Sequence, residues 1–267
     1  MSAVRPNASY VRPSAQQQHA VDQSVGHYRV RLASTDDELD AVFALRFRVF
    51  NLELDEGLEA SYQTQRDEDQ FDRQCHHLIV QDIRDETIIG TYRMQTAAMA
   101  ARGHGFYSQG EYDLTQLAGS VLPQAVELGR ACIDEAHRNT RVLFLLWRGL
   151  AAYMSAGGHR YFFGCCSLTS QSPGEGIALH RKLFVDGMVD AHLQVATQPD
   201  YRCLCADSDL PPPPKTPKLM RLYLSYGARI ISPPAIDREF STIDYLALFD
   251  LEAMSPEHRK MFLEPRD

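Results

Sequence analysis

The order of elements along the chain predicts an α/β fold, a mixed sheet in one domain. Three features lead there: a capped apolar segment early in the chain, a hairpin pattern over residues 75–94, and a strand–helix–strand run over 125–167. Residues 1–27 are rich in Gln, Ser, Ala and Pro without a hydrophobic period, and are expected to form a disordered leader. Tyr28 to Leu32 alternates in the manner of a strand. Thr35-Asp36-Asp37-Glu38 has the spacing of a capping box, with Glu three residues after Thr. The residues that follow, Leu39 to Phe50, are apolar on more than one face, which predicts a mostly buried helix carrying Arg46 and Arg48.

Cys75–Asp82 and Thr87–Met94 are β-rich runs joined by a short charged turn, an antiparallel hairpin. Ala125–Ile133 is the next strand. Thr140–Ser155 is a strong helix closed by Gly157-Gly158, and Tyr161–Ser167 is a further strand. A short helix over Gly176–Leu183, a helix over Leu219–Tyr226, a late strand over Ile243–Asp250 and a closing helix over Pro256–Leu263 complete the reading. Residues 28–267 are therefore expected to form a single domain, with insertions near 97–124 and 184–217. The second insertion ends in four prolines, Pro211 to Pro214, which read as a stiff connector.

Composition narrows the function. Of the 267 residues, 44% are hydrophobic and 23% charged, which excludes a wholly disordered chain. Lys plus Arg total 27 against 35 Asp plus Glu, a net charge of −8 that argues against a nucleic-acid binder. The longest apolar run, Val142–Trp147, is far shorter than the roughly 20 residues that span a bilayer. The N-terminus has no apolar core of a secretory signal, so a cytoplasmic location is expected. None of the cysteines, Cys75, Cys132, Cys165, Cys166, Cys203 and Cys205, forms a C-x-x-C pair, and His76 and His77 are neighbours that a strand would point apart. No metal site is expected.

The charges are unevenly placed. Between Asp36 and Asp72 stand twelve acids and three arginines, whereas Gly129–Arg160 carries five arginines and two acids. Such asymmetry suits two solvated faces, or an enzyme with a cationic substrate on one side and an anionic donor on the other. Within Ala125–Ile133, Glu127 sits in an otherwise apolar strand, where an acid must be paired or protonated. It reads either as half of a structural ion pair or as a general base. Glu127 and Arg130 lie three apart, so a plain strand points them to opposite faces and only a bulge or splay brings them together.

Four motifs occur in order: Arg46-Phe47-Arg48-Val49-Phe50, Asp67-Glu68-Asp69-Gln70-Phe71-Asp72, Gly90-Thr91-Tyr92-Arg93 and Glu127-Leu128-Gly129-Arg130. Together they resemble the N-acyltransferase branch of the GNAT superfamily that draws on acyl carrier protein, which includes acyl-homoserine-lactone synthases, N-acyl amino acid synthases and ornithine-lipid N-acyltransferases. Later segments resemble the ornithine-lipid, or hemolysin-like, group: Leu146-Trp147-Arg148-Gly149, Tyr161 to Ser167, Tyr226-Gly227-Ala228 and Ala235 to Phe240. The resemblance covers roughly residues 28–265 and implies a GNAT-like mixed, mainly antiparallel central sheet flanked by helices.

It also implies roles. Glu127 would be the catalytic base for the acceptor amine, directly or through a water. Arg46, Phe50, Asp69, Asp72, Arg93 and Arg130 would form the acceptor-binding core. In it Asp69 and Asp72 would orient the amine, and Arg93 and Arg130 would either hold these carboxylates or grip the acceptor's carboxylate. Ordinary acetyl-CoA members carry a glycine-rich phosphate loop before the main helix, but here that stretch is Arg138-Asn139-Thr140-Arg141-Val142, without glycine. Arg138, Arg141 and Arg148 are therefore expected to meet acyl carrier protein and its phosphopantetheine arm, with acyl-CoA the lesser donor. No bound cofactor is implied.

The implied reaction moves a long-chain, or 3-hydroxy, fatty acyl group to the α-amino group of an amino acid, foremost ornithine. The tryptophan that homoserine-lactone makers carry soon after the Phe50 position is missing from Asn51–Glu56, NLELDE, which speaks against that product. An N-acyl tyrosine or N-acyl glycine synthase and a non-catalytic acyl-chain-binding protein are the alternatives. A covalent route through Cys132 or Cys165 is the rival mechanism. A lipid product implies transient contact with the inner membrane, for which the basic stretch Lys215–Arg229 is the candidate surface, as it is for docking the carrier.

Overall fold

Alternating apolar residues in the first half of the chain build an antiparallel meander with helices on both faces. The structure, a computed structural model, describes residues 9–258, and its contacts part into two units. One comprises the residues up to Gly105 together with Val126–His159; the other comprises Phe106–Ala125 and Arg160–His258.

The first unit opens with α1 (Ala15–Val21), β1 (Gln23–Val25) and β2 (Tyr28–Leu32). This corrects the expectation of a leader without structure, whose residues 1–8 lie outside the described residues. Ser14 and Gln17 close a capping box on α1, Val21 is fully buried, and β1 pairs with β2 from Gln23↔Val30 to Val25↔Tyr28. The element is too short and too polar to show a hydrophobic period, so only its tertiary contacts reveal it. Helix α2 (Asp36–Arg46) starts at the expected box, with Thr35 accepting from the Glu38 amide at 3.2 Å. It then runs directly into a π-helix over Phe47–Glu53, followed by the single-turn α3 (Ser61–Thr64).

Strands β3 (His76–Asp82) and β4 (Thr87–Thr96) form the expected hairpin. The short helix α4 (Ala97–Arg102) follows it, then β5 (Ala125–Ile133) and the long helix α5 (Thr140–Gly157). The strands pair in chain order, β1 to β5, all antiparallel. Residues two apart on a strand share a face, and the two faces here differ. Leu78 and Val30 face α5, where Gly149 seats the helix closely: a Cβ there would stand 2.7 Å from the Val30 methyl and 3.0 Å from Leu78. Ile79 faces the other way, into a cluster with Tyr10, Ala33, Leu39, Val42 and Phe43 of α2 and the chain before it. Helix α5 ends on Gly158, left-handed at φ +64°.

The second unit holds β6 (Tyr161–Leu168), α6 (Pro173–Val185), α7 (Lys218–Ser225), β7 (Arg229–Ile230), β8 (Ala235–Asp237) and β9 (Thr242–Asp250). β9 pairs antiparallel with β6 along eight residues, and also with β7 and β8. A parallel bridge, Val189↔Ile230, joins the loop region to β7. Leu179, Leu183, Met220, Leu224, Ile236 and Ile243 pack the core between the helices and these strands. Helix α6 is longer than the expected Gly176–Leu183 because Ser172 caps it and Pro173 takes its first position. Pro211 rests on Gly174 of that helix. The expected closing helix, Pro256–Leu263, lies mostly outside the described residues, its first turn alone being helical to His258.

The adjacent histidines of β3 split between the two faces. His76 Nδ1 is 2.9 Å from the Tyr153 hydroxyl on α5, and His77 Nε2 is 2.9 Å from the Asp72 carbonyl on the other face. Burial pushes both imidazoles down, from 6.5 to about 4, the Asp72 carboxylate only partly opposing this at His77. Between those values the unfolded chain binds the proton and the folded one does not, so stability falls as pH falls, by on the order of 3 kcal/mol for each group once both limits are crossed. Urea midpoints should therefore decline from pH 7.5 to 4.5. The His76→Gln/His77→Gln double variant should flatten the profile; an unchanged slope in it would contradict this account.

Candidate active site

Arg46, the last residue of α2, is fully buried, and its guanidinium is the centre of an ionic cluster in the first unit. Its Nε donates to Asp67 Oδ1 at 2.7 Å, and its two terminal nitrogens donate to the two oxygens of Asp72 at 2.6 and 3.1 Å. Arg93 of β4 donates to Asp69 at 2.5 Å and to Asp72 Oδ1 at 3.1 Å. Asp72 Oδ2 also accepts the Asp69 amide at 2.8 Å, and Asp69 accepts the Phe71 amide at 2.8 Å, which winds the 69–72 segment into a tight turn. Burial alone would raise the Asp72 carboxyl. The Arg46 and Arg93 guanidiniums outweigh it and hold the group well below the usual carboxylate range. Conversely, Asp67 and Asp72 keep Arg46 charged against its own burial.

This geometry separates the two aspartates that the sequence reading paired. Asp72 has no exposed surface, and both its oxygens are taken by the Arg46 and Arg93 guanidiniums. Asp69 keeps 13% of its side chain exposed. Of the alternatives open for Arg93 and Arg130, holding the carboxylates in place describes Arg93, as it does Arg46.

The strand that carries Glu127 departs from a plain ladder. Arg93 pairs with Gly129 and Thr91 with Cys132, so two residues of β5, Arg130 and Ala131, oppose the single Tyr92 of β4. That is a bulge, and Arg130 adopts a left-handed φ of +50° within it, which costs a non-glycine residue about 1–2 kcal/mol. In exchange Arg130 turns to the face shared by Arg93 and by Glu127, which stands opposite Gln95. There its guanidinium lies 5.5 Å from the Phe50 ring centre and its Nε 3.6 Å from Asp67 Oδ1. Arg93 lies likewise over Phe71 at 5.8 Å. Glu127 is almost fully buried on this face. Phe50 reaches Arg130 from the π-helix, the kind of local widening that recurs at functional sites.

The three arginines expected on the donor side are not equivalent. Arg138, just before α5, forks onto both oxygens of Glu53 at the end of the π-helix and donates to the Ile133 carbonyl at 2.9 Å. It ties the turn before α5 to the segment bearing Phe50. Arg141 is exposed on the first turn of α5, and Arg148 is half-buried seven residues on, two turns along the same face. Asn139 caps the helix by accepting from the Val142 amide at 3.1 Å.

Burial pushes the Cys132 thiol up to about 12. Cys165, in the second unit, has its Sγ 3.9 Å from the Glu111 carboxylate. Donor atoms of Glu111, Cys165 and Asp244 lie within 4.8 Å of one another, and each of these residues has further partners in the protein.

The residue that sequence reasoning left without a role is Asp67. Its place in the acidic Asp67–Asp72 motif carries no signal of a partner, yet it meets Arg46 across the fold.

A family model described as an acetyltransferase (GNAT) domain matches residues 45–148, the span from Leu45 to Arg148 that contains this cluster. The chain is 32% identical to an L-ornithine N(alpha)-acyltransferase of Brucella abortus (strain 2308) over 88% of each protein. It is 31% identical to an L-ornithine N(alpha)-acyltransferase of Rhizobium meliloti (strain 1021), covering 96% of this chain and 91% of that one. Among solved structures it is similar in fold to a CoA-dependent acyl-homoserine lactone synthase, MesI, with a TM-score of 0.52, 11% identity and coverage of 90% and 97%. The sheet and its flanking helices are thus of the GNAT type, and the protein is an acyltransferase.

The buried cluster predicts a graded response to isosteric substitutions. Asp72→Asn leaves Arg46 and Arg93 short of a counter-charge in a dry site and should cost about 3–5 kcal/mol in urea unfolding. Asp69→Asn, partly solvated, should cost under about 1 kcal/mol. Equal losses for the two variants would overturn the division of labour between them.

Proposed function

Since this chain belongs to the L-ornithine N(alpha)-acyltransferase family, we propose that it moves a long-chain fatty acyl group from acyl carrier protein to the α-amino group of ornithine, giving a lyso-ornithine lipid. The observation that carries the proposal is Glu127, buried on the face of β5 that also presents the Arg46–Asp72–Arg93 cluster and Arg130 beside a bulge.

In this reading Asp69 orients the acceptor ammonium and Arg130, over Phe50, takes the acceptor carboxylate. Glu127, directly or through a water, removes a proton from the ammonium. The freed amine attacks the thioester carbonyl, and a backbone N–H at the bulge, where the β4–β5 ladder is interrupted, supports the oxyanion. Collapse of the tetrahedral species forms the amide and expels the phosphopantetheine thiolate, which is reprotonated. Proximity, a base and an oxyanion donor suffice, since the amine is a competent nucleophile once deprotonated.

Arg138, Arg141 and Arg148 receive the carrier protein and its phosphopantetheine arm. Side-chain guanidiniums suit a phosphodiester and an acidic protein surface where no glycine lets backbone close on a pyrophosphate. The reaction is placed in the cytoplasm, next to the inner membrane that receives the lipid. No helix among the described residues is long and apolar enough to cross a membrane. Helix α7 presents exposed Lys218, Leu219 and Arg221, a composition suited to transient contact with an anionic surface.

Purified protein should release thiol from a long-chain 3-hydroxyacyl carrier protein with L-ornithine, and mass spectrometry should identify N-acylornithine. Glu127→Gln should lower kcat by at least about 100-fold. Product with tyrosine or glycine in place of ornithine would move the acceptor assignment, and acyl-CoA turned over as well as the carrier thioester would overturn the donor assignment. Full activity in Glu127→Gln would remove the base.

A further inference from the structure

We propose that Asp67 is a positioning residue of the acceptor site: it orients the Arg130 guanidinium over Phe50 for a carboxylate of the acceptor. The inference rests on the reading that Arg130 meets the acceptor. Asp67 has no exposed surface, and its backbone is fixed to α2 by an amide hydrogen bond to the Phe43 carbonyl at 3.1 Å. Its carboxylate is therefore held as rigidly as the helix. One oxygen, Oδ1, does all the visible work, meeting Arg46 at 2.7 Å and Arg130 at 3.6 Å, while Oδ2 is buried without a hydrogen-bond partner.

Compensation of Arg46 does not by itself account for this arrangement. Asp72 takes both terminal nitrogens of Arg46 through its two oxygens, and Asp67 Oδ1 takes Nε and lies 2.5 Å from one of those terminal nitrogens, yet the same oxygen also stands 3.6 Å from Arg130 Nε. A second fully desolvated carboxylate is costly, and leaving one of its oxygens unpaired adds to that cost. Besides its share in holding Arg46, Asp67 supplies a fixed negative charge beside Arg130. That side chain starts from a left-handed bulge residue, so its backbone direction is set, but a guanidinium on a long stem needs contacts on more than one side to keep one orientation. Phe50 covers one side and Asp67 attracts the Nε edge. A planar guanidinium so held is suited to a two-point grip on a carboxylate. At 3.6 Å the contact is an ion pair and not a hydrogen bond, so it acts through charge, and a neutral isostere should release it.

The test compares acceptors with and without that carboxylate, L-ornithine and 1,4-diaminobutane, in the wild type, Asp67→Asn, Arg130→Lys and the double variant. Asp67→Asn should raise the ornithine KM about tenfold, with kcat and the acyl-donor KM within about twofold. It should also narrow the preference for ornithine over the diamine by a similar factor. In the Arg130→Lys background the same change should add less than about twofold, because the two residues act through one contact. An unchanged ornithine KM, an equal loss for both acceptors, or fully multiplicative effects in the double variant would each overturn the proposal. Should Asp67→Asn not fold, Asp67→Glu keeps the charge and displaces it by one methylene; a raised ornithine KM then supports the proposal and a wild-type value overturns it. If the wild type turns over another amino acid instead, the comparison is made with that acceptor and its decarboxylated amine. A wrong acceptor thus shows in the wild type, and a wrong role for Asp67 shows only in the variants.

Discussion

A guanidinium with no access to water organises the first unit. Removing such an ion from solvent costs several kcal/mol even after relaxation, and attraction offsets that cost only when the counter-charges arrive in good geometry. Arg46 meets the condition with Asp67 and Asp72, both fully buried. Satisfying it binds the end of α2, the 66–72 segment and, through Asp72, Arg93 on β4 into one assembly, with Arg130 on β5 drawn in by Asp67. Three carboxylates face three guanidiniums, so the assembly concentrates charge without a large net field. The donors and acceptors of a polar site are thereby set before any substrate arrives, which is where preorganised electrostatics gain over water.

Two irregularities in the backbone serve that assembly. The chain leaves α2 through a π-helix, which puts Phe50 under Arg130 while Phe47 and Val49 stay buried. Strand β5 carries a bulge at Arg130, and the local strain is balanced by the ion pair with Asp67 and the aromatic face of Phe50. Without the bulge, Arg130 would project from the sheet face opposite to Glu127. The same device interrupts the ladder between β4 and β5 next to the buried acid, so one local distortion both redirects a side chain and alters the backbone beside Glu127.

Much of the architecture was legible because its signals are local. The capping box at Thr35, the charged turn between β3 and β4, the buried run of β5 and the glycine stop of α5 each lie within a few residues; β3, β4, β5 and α5 formed within two residues of their expected ends, while α2 starts at its box but stops at Arg46, short of the expected Phe50. Helix α1 was missed because seven mostly polar residues carry no period and gain their order by packing on α5 and β2. The π-helix was missed because its apolar residues satisfy a helical pattern equally well, and the choice of hydrogen-bond register is made by what Phe50 and Arg46 meet in space.

For the site, composition and order named the participants: the acidic 36–72 segment, the arginines, and an acid inside an apolar strand. Residue type is a matter of sequence, and so is the cost of burying a charge, so the need for pairing could be stated in advance. Which charge pairs with which could not. Asp72 closes on Arg46 and Arg93, Asp69 stays partly exposed, and Asp67 bridges Arg46 to Arg130. Arg138, expected to receive a donor, is engaged by Glu53. Those partners lie 21 to 85 residues apart along the chain, and an ion pair is decided by distances of a few ångströms. Helices and turns follow from neighbours in sequence, but the site's chemistry follows from neighbours in space, which exist only once the sheet and its bulge have formed.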